Sequence, residues 1–483
     1  MNQYQAQIVI VAAGPAGLSA AVQAAEGGAS VIVLEKTAAV GGAANMGMGP
    51  LGIGTRYQKA QMMELTVEKA FNMFMEYTHY NVDARLVKRY FSQSAETIEW
   101  LEAMGVEFEG AYRYFPKAEP TWHIVKTGQT IGPRAASFMN RALYERAIEL
   151  GVCFLMETRG MEILKRGDRV CGVRAMTSDG ESLQIDCRAV IICTGGAGSD
   201  KDLIQKETGY RHGEDPFSFA IPGIIGDGLR MAWAAGADRV PIRIEGSATV
   251  QGCDELPGSV PNIFFQPNLL VNFFGKRVMN EEHMQNTTFL NNVVSHQKGK
   301  VCFSVIDTTI VHGYITNGVD VTSLVRPNPD VSDFYDGLKL AESKDYVSFY
   351  KGATLEELAE KSGIDKESLI RTVQEYNLYC ETGDEEFFKD SRYLRPLIKG
   401  PFFAARIRPS GYGTVGGIRI NENCEACGAD FSPVPGLYAA GADACNIYDD
   451  SYMFLLPGNS MGFAVNTGRI AGMEAARYVR SLQ

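Results

Sequence analysis

The fold of this chain is decided by the stretch Ile8-Val9-Ile10-Val11-Ala12-Ala13-Gly14-Pro15-Ala16-Gly17. The residues before the turn form a β-branched apolar run, which predicts a buried parallel strand. The small-residue turn leads into an Ala-rich segment, residues 18–26, which predicts a helix that ends at Gly27. A second apolar run, residues 30–34, predicts another strand, and Glu35 stands at its end. This strand–turn–helix–strand–acid order within about 30 residues is typical of a dinucleotide-binding unit.

Each part of this unit has a physical reason to bind a dinucleotide. Gly14 and Gly17 let the backbone approach a pyrophosphate, and the helix N-terminus offers N–H groups and a partial positive charge to the phosphates. Glu35 can accept hydrogen bonds from a ribose diol. Ala12 stands where the usual G-x-G-x-x-G motif has its first glycine, which weakens the argument for the turn. The alternative is an ordinary βαβ unit without a ligand, but the context on both sides of the turn favours the dinucleotide.

Other features of the chain extend this organisation. The glycine-dense loop 41–49 directly follows the acid, so we expect it to wrap the cofactor rather than act as a flexible linker. Amphipathic segments at 83–104 and 134–150 predict structural helices. Residues 245–410 differ in composition from the rest of the chain, with aromatic and Asn-rich stretches, which indicates an inserted second domain.

Composition excludes several classes of protein. The chain has 483 residues and a net charge of −11, and no Lys/Arg-rich run suggests a nucleic-acid partner. No stretch approaches about 20 uninterrupted apolar residues, so we expect no membrane span. The first residues are polar, without a charged segment or cleavage site, and we expect a cytoplasmic location.

The ten cysteines are scattered and are most simply free thiols in a reducing compartment. The one close pair is Cys424 and Cys427, which lacks a second pair at matching spacing. We therefore interpret the pair as loop thiols and predict no metal site, with a redox or metal role as the alternative.

Six motifs occur in one order: the N-terminal unit, Thr194-Gly195-Gly196, Gly226-Asp227-Gly228, Gly275-Lys276-Arg277, residues 436–443 and residues 458–472. This order resembles the flavoprotein superfamily of fumarate reductase and succinate dehydrogenase, which includes 3-ketosteroid dehydrogenases and urocanate reductase. The resemblance implies an α/β fold: a split Rossmann-like FAD-binding domain with an inserted α+β capping domain. The implied domains are residues 1–244, 245–410 and 411–483, and the implied active site lies between the FAD-binding and capping domains.

The resemblance also implies the cofactor and its ligands. Succinate dehydrogenases bind flavin covalently through a His in the loop after the acid, and residues 41–49 contain no His, so the implied FAD is non-covalent. No second dinucleotide motif of similar quality is found, so the implied electron donor or acceptor is an external partner of unknown identity. The implied cofactor-binding residues are Gly14, Ala16, Gly17, Glu35, Lys36, Gly42, Gly47, Met48, Gly49, Thr194, Gly195, Gly196, Asp227, Gly441, Asp443, Asn459, Ser460 and Met461. Among them, Asp443 matches a ribityl-binding acid, and the backbone of Ser460 and Met461 matches the donors to the flavin N1/C2 edge.

The family's dicarboxylate-binding groups are missing from this chain. Gln285 stands at the position of the Arg that acts as general acid in fumarate reductases. Gly413, Leu455 and Ser247 stand where relatives have a His, an Arg and a His. Because a dianion in a dry pocket needs paired charge, fumarate, succinate and aspartate are not expected as substrates.

Aromatic and apolar residues occupy the same regions, which suits a flat, neutral or phenolic ligand. Tyrosine is a plausible proton donor opposite a hydride from flavin N5, and core packing is the alternative for each tyrosine. The predicted catalytic residues are Tyr412, Tyr452 and His283. The predicted substrate-binding residues are Tyr448, Leu455, Leu456, Gln285, His123 and Arg134.

These features predict an FAD-dependent reductase that transfers hydride from flavin N5 to an activated C=C bond or similar electrophilic carbon. The expected small-molecule substrate is an enone, steroid, phenylpropanoid or isoflavonoid, for example tetrahydrodaidzein reduced to equol. One alternative is a dehydrogenase of the ketosteroid type that passes electrons to an external acceptor. An alternative of another class is an FAD-binding electron-transfer subunit of a complex.

Overall fold

The computed structural model describes residues 2–129, 131–215, 221–250, 252, 255–344 and 348–482. The helices are α1 (Pro15–Glu26), α2 (Arg56–Ala60), α3 (Val67–Tyr77), α4 (Ala84–Ala103), α5 (Ala136–Glu149), α6 (Lys201–Thr208), α7 (Asp227–Ala234), α8 (Ser259–Phe264), α9 (Thr287–Ser295), α10 (Thr308–Asn317), α11 (Phe334–Ser343), α12 (Leu355–Ser362), α13 (Lys366–Thr382) and α14 (Asn459–Ser481). The strands are β1 (Asn2–Gln5), β2 (Ile8–Val11), β3 (Val31–Leu34), β4 (Phe108–Tyr112), β5 (Trp122–Val125), β6 (Cys153–Leu155), β7 (Thr158–Arg166), β8 (Arg169–Thr177), β9 (Ser182–Asp186), β10 (Ala189–Ile192), β11 (Arg243–Val250), β12 (Leu269–Val271), β13 (Cys302–Asp307), β14 (Phe349–Gly352), β15 (Phe402–Val415), β16 (Glu425–Cys427) and β17 (Pro433–Ala439).

The central sheet has the strand order β16-β17-β10-β2-β3-β6. Strand β2 pairs in parallel with β3 and β10, so that Val9 lies beside Ile32 and Val190. Strands β2, β3 and β10 are buried throughout, as expected for apolar runs covered on both faces. Helices α1 and α14 pack closely together because Gly468 and Gly472 let the α14 backbone approach Ala16 and Ala20.

The predicted turn after β2 forms although its first glycine is replaced. Ala12 has a φ of +85°, a left-handed conformation that glycine adopts more easily. A Cβ atom added to Gly17 would lie 2.0 Å from the Ala12 carbonyl oxygen, so this position requires glycine. The helix predicted after the turn is confirmed, and it begins at Pro15 rather than Leu18.

Buried apolar residues form two separate clusters. The first is built from residues 6–242 and 415–479 and includes the central sheet. The second is built from residues 248–407 and surrounds a sheet of order β11-β15-β13-β12, with β14 also paired to β15. The first half of β15 pairs with β13, and the second half pairs with β11. The two long strands β11 and β15 therefore connect the clusters.

The remaining sheets belong to the N-terminal part of the chain. Strands β1-β9-β8-β7 form a four-stranded sheet, and β4 and β5 form a hairpin. The helices predicted at 83–104 and 134–150 are confirmed as α4 and α5. Among the described residues, no helix combines the length and the apolar character that crossing a membrane requires.

Candidate active site

The carboxyl ends of β2 and β3 carry the first group of predicted cofactor residues. Glu35 accepts hydrogen bonds at Oε2 from the Ala13 N–H and at Oε1 from the Thr37 N–H, each at 2.9 Å. The N-cap of α1 is Gly14, which provides no side-chain cap to the first turn. The Glu35 carboxylate and the uncapped N-terminus of α1 therefore lie at one edge of the sheet. An acceptor carboxylate suits the ribose of FAD, and the N–H groups of a helix N-terminus suit its pyrophosphate.

The predicted cofactor loop 41–49 packs beside this turn. A Cβ atom on Gly42 would lie 3.7 Å from the Gly14 Cα atom. At the other end of the loop, a Cβ atom on Gly47 would lie 2.4 Å from the Met461 side chain, at the start of α14. Met48 and Gly49 are buried. The loop thus runs from the turn after β2 to the N-terminus of α14.

The predicted ribityl-binding acid Asp443 holds the turn after β10. Its carboxylate, fully buried, accepts hydrogen bonds from the Gly196 N–H at 2.9 Å, the Gly195 N–H at 3.1 Å and the Thr194 hydroxyl and N–H. Burial raises the pKa of Asp443 to about 6, against the lowering effect of these donors. Asp443 therefore positions Thr194, Gly195 and Gly196, and its contact with the ribityl chain stays a prediction.

Lys36 and Asp227 form an ion pair with an Nζ–Oδ2 distance of 2.8 Å. Arg159 binds the other Asp227 oxygen at 2.5 Å. These contacts attach the start of α7 to the end of β3, so the Asp227 carboxylate is already engaged within the chain. Its predicted role toward FAD stays a prediction.

The predicted tyrosines come together at the N-terminus of α14. The ring centroid of Tyr452 lies 4.7 Å from that of Tyr448 and 4.7 Å from that of Phe454. Tyr412, on β15, lies 6.2 Å from Phe454, and its hydroxyl hydrogen-bonds with Ser247. Tyr448 is fully buried and packs on Phe74, which indicates core packing for this residue.

Charges near this aromatic wall include one arginine that the sequence reasoning did not consider. The Arg326 guanidinium stacks over Phe265 at 4.1 Å. Burial raises the pKa of Tyr412, and the positive charge of Arg326 partly opposes this rise. The positive charge of Arg326 therefore acts on the phenol group of Tyr412.

Glu245 is the main functional candidate that the sequence reasoning missed. It lies at a bulge of the β11–β15 pair, between the register partners Ile244↔Thr414 and Gly246↔Gly411. Its Oε1 accepts a hydrogen bond from the Ser460 hydroxyl at 2.9 Å, and the Tyr452 hydroxyl also bonds to the carboxyl group. Burial raises the pKa of Glu245 to about 7, which the two hydroxyls oppose. One signal in the sequence could have identified Glu245. It is a glutamate in an apolar segment, two residues before Ser247, where relatives have a His.

Two predicted residues lie on the capping side of the site. Gln285 donates from Nε2 to the Glu282 carbonyl at 3.1 Å, and its Oε1 is buried without a hydrogen-bond partner among the described residues. His283 is exposed, with its Nε2 3.8 Å from Glu282 Oε1. Glu282 binds Lys117 at 3.0 Å, so this segment contacts the connection between β4 and β5. The structure does not bring His283 into contact with the tyrosines, and its catalytic role stays a prediction.

Three further predicted substrate residues have surroundings of their own, and their role toward a substrate stays a prediction. His123 is fully buried, with Nδ1 2.9 Å from the Thr121 carbonyl and Nε2 2.7 Å from the Thr55 hydroxyl, and burial lowers its pKa to about 4. Both ring nitrogens are therefore occupied. Leu456 belongs to the first core cluster with no exposed surface, and Arg134 lies exposed beside the loop 41–49, where its N–H donates to Met46. Leu455 remains half-buried next to the wall.

The two close cysteines are both buried. Burial raises the pKa of Cys427 to about 11 and also raises that of Cys424. Both groups are therefore protonated thiols near neutral pH, which favours the interpretation as structural thiols over a metal or redox role.

Comparison with known proteins decides the family. The family described as FAD binding domain matches residues 7–461. The chain belongs to this FAD-binding family. This flavoprotein is 31% identical over 488 residues to the vinyl phenol reductase of Lactiplantibacillus plantarum, a match that covers 98% of this chain and 96% of that relative.

One further relative connects this flavoprotein to the superfamily predicted from its motifs, and one solved structure shows the same fold. It is 28% identical over 476 residues to the fumarate reductase (cytochrome) of Shewanella frigidimarina, covering 98% of this chain and 77% of the relative. The solved structure of 3-ketosteroid-Δ4-(5α)-dehydrogenase from Rhodococcus jostii RHA1 with 4-androstene-3,17-dione has a TM-score of 0.79 at 24% identity, covering 98% of this chain and 97% of that chain. The predicted superfamily and the α/β fold of Rossmann-like and capping domains are confirmed, and the protein is an FAD-dependent oxidoreductase.

Proposed function

We propose that this flavoprotein reduces a C=C bond of a neutral aromatic or enone substrate, with a vinyl phenol or a related phenylpropanoid as the first candidate. The observation that carries this proposal is the wall of Tyr412, Tyr452 and Phe454 beside Glu245, at the N-terminus of α14. The similarity to a vinyl phenol reductase over nearly the whole length of both chains supports the same class. The chain's Gln285 and Leu455, at the positions of family arginines, argue against dicarboxylates.

The residues of the chain have separate roles in this reaction. Reduced FAD, when bound, supplies the hydride. Tyr412, Phe454 and the half-buried Leu455 bind and orient the flat substrate and exclude water from it. A hydroxyl of Tyr452 or Tyr412 donates the proton that completes the reduction. The residues 1–244 and 411–483 are proposed to hold FAD non-covalently, and residues 245–410 to cover the substrate.

The test is anaerobic reoxidation of the photoreduced protein. The acceptors are 4-vinylphenol, a cinnamate, a steroid enone, tetrahydrodaidzein, urocanate and fumarate, each followed by flavin absorbance. Rapid reoxidation by a neutral aromatic or enone, with fumarate inert, supports the proposal and identifies the substrate class. Rapid reoxidation by fumarate would overturn it. Acid precipitation of the yellow protein tests the cofactor linkage, because non-covalent FAD stays in the supernatant.

The dehydrogenase alternative predicts a different result in the same apparatus. The oxidised protein would then be bleached by a saturated steroid ketone and reoxidised by an artificial electron acceptor. The dehydrogenase direction would be favoured if the saturated ketone bleaches the oxidised flavin and no unsaturated compound reoxidises the reduced flavin. Tight co-purification with a partner, with no reaction in either direction, would favour an electron-transfer subunit.

A further inference from the structure

The β-bulge at Glu245 places a carboxyl group against a buried tyrosine. Between the paired residues Ile244↔Thr414 and Gly246↔Gly411, the register shifts, so Glu245 has no direct partner in the ladder. Bulges re-aim side chains and occur next to active sites. The extra residue of this bulge is on β15, because Tyr412 and Gly413 lie opposite Glu245 alone. The Glu245 carboxyl group faces the N-terminus of α14, where its Oε1 lies 2.9 Å from the Ser460 hydroxyl.

Tyr452 is bound on two sides in this arrangement. Its hydroxyl oxygen accepts a hydrogen bond from the Ser460 N–H at 3.0 Å and also bonds to the Glu245 carboxyl group. The ring is fixed between Tyr448 and Phe454, with only 4% of the residue surface exposed. The direction of the Tyr452 O–H therefore depends on whether Glu245 donates or accepts in their hydrogen bond.

We propose that Glu245 is a positioning residue that supplies, through Tyr452, the proton of the reductive half-step; this inference rests on the proposed reductase function. With Glu245 protonated, its O–H donates to the Tyr452 oxygen, and the Tyr452 O–H is directed at the substrate. As hydride from reduced FAD forms one new C–H bond, the Tyr452 O–H bond breaks and its proton forms the second. The Glu245 O–H proton then restores the tyrosine, and water restores the glutamic acid.

The surroundings of Glu245 suit a group that gains and loses a proton near neutral pH. Among the described residues, the titratable groups on which the charge of Glu245 acts include Tyr412, Tyr448, Tyr452 and Cys445. Burial raises the pKa of each of these groups, so all are neutral near pH 7. Arg243, on the same strand, donates from Nε to the Asp449 carbonyl at 3.0 Å. Burial in this environment raises the pKa of Glu245 to about 7, which lies in the range that suits a group exchanging protons near neutral pH.

The test compares wild type with Glu245→Gln, Glu245→Asp and Tyr452→Phe, and with Glu162→Gln as a control on the exposed β7–β8 hairpin. The rate of reoxidation of the photoreduced protein by the identified acceptor is measured between about pH 5 and 9. We expect the wild-type rate to fall about tenfold per pH unit above about pH 7, and the Glu245→Gln rate to be about 100-fold lower and independent of pH. Glu245→Asp should keep the pH dependence at a reduced rate, and Glu162→Gln should match wild type.

A second readout does not depend on turnover. In infrared difference spectra of the FAD-loaded proteins, wild type should show one more protonated-carboxyl C=O band than Glu245→Gln, besides the band of Asp443, and this extra band should disappear as the pH rises through about 7. FAD absorbance and thermal melting verify that each variant is folded. An unchanged rate and pH profile in Glu245→Gln, or the same number of titrating carboxyl bands in both proteins, would overturn this inference while the reductase function stands. A wild type that no acceptor reoxidises would instead overturn the proposed function, and this inference with it.

Discussion

Ala12 adopts a left-handed backbone conformation at the turn that approaches the expected pyrophosphate. Its φ of +85° is unfavourable for a residue with a Cβ atom. The turn keeps this shape because Gly17 packs directly on the Ala12 carbonyl and β2 is paired on both sides. The strain is therefore carried by tertiary contacts, which is why the motif tolerates the loss of its first glycine.

The strain at Ala12 gives a stability prediction. Ala12→Gly should raise the free energy of unfolding by about 1 kcal/mol, because relief of the left-handed strain exceeds the entropy that glycine gains in the unfolded chain. Ala13→Gly is the matched control and should lower stability, since no positive φ is relieved there. Denaturant unfolding of both variants measures the difference, and destabilisation by Ala12→Gly would contradict the argument.

Asp443 gives a prediction for the pH dependence of stability. Burial raises its pKa from 3.8 to about 6, so the folded state binds this proton more tightly than the unfolded state. The stabilisation is complete below about pH 4 and is lost as the pH rises through about 6, a change of roughly 3 kcal/mol. The side chain of the Asp443→Asn variant cannot titrate. The variant should therefore gain stability relative to wild type as the pH rises from about 4 through about 6. A difference that is constant with pH would show that Asp443 is ionised in both states.

At the scale of elements, local sequence patterns predict most of the fold that positions the cofactor. The apolar runs of β2, β3 and β10 and the final helix α14 are recognisable because buried parallel strands and glycine turns leave strong local signals. Glu245 leaves no such signal, because its bulge arises only when β11 pairs with β15, far along the chain. The burial of His123 likewise depends on the hairpin β4–β5 and on Thr55, which local pattern does not bring together.

The contact of α1 with α14 gives a prediction at the element scale. A Cβ atom on Gly468 would lie 2.2 Å from the Ala16 carbonyl oxygen, so Gly468→Ala forces the helices apart at the cofactor turn. We expect a loss of about 2 kcal/mol in stability and weaker FAD retention. Gly313→Ala in α10 is the matched control, since nothing lies within 4 Å of its added Cβ. That variant should be stabilised by about 0.5–1 kcal/mol. Equal FAD affinity and stability in Gly468→Ala and wild type would contradict the close packing.

At the scale of the whole molecule, the two core clusters meet across the proposed substrate site. Asn292 binds Ser451 at 2.8 Å, the Leu324 N–H donates to the Tyr114 carbonyl at 2.9 Å, and Tyr77 stacks on Phe289. Two of these three contacts are polar, whereas each cluster has its own apolar interior. The two parts should therefore unfold with partial independence, with β11 and β15 as the covalent and hydrogen-bonded connection.

A buried ion network makes this independence measurable. Arg277 binds Asp384 at 2.8 Å and Glu281 at 2.9 Å with almost no exposed surface, and Lys389 lies 3.3 Å from Glu281. Burial alone would raise the pKa of Asp384, but the Arg277 guanidinium lowers it to about 2. Asp384→Asn leaves the remaining charges unbalanced and should destabilise the second cluster by about 3–5 kcal/mol.

The release of flavin and the unfolding of the second cluster are then measured during the same heating of the Asp384→Asn variant. Far-ultraviolet circular dichroism should show a new early transition in Asp384→Asn, while release of flavin fluorescence stays at the wild-type temperature, because the proposed FAD site is built from residues of the first cluster. Asp336→Asn, at an exposed pair with Lys339, is the control and should melt as wild type does. Simultaneous loss of flavin and secondary structure in Asp384→Asn would mean that the two clusters fold as one cooperative unit.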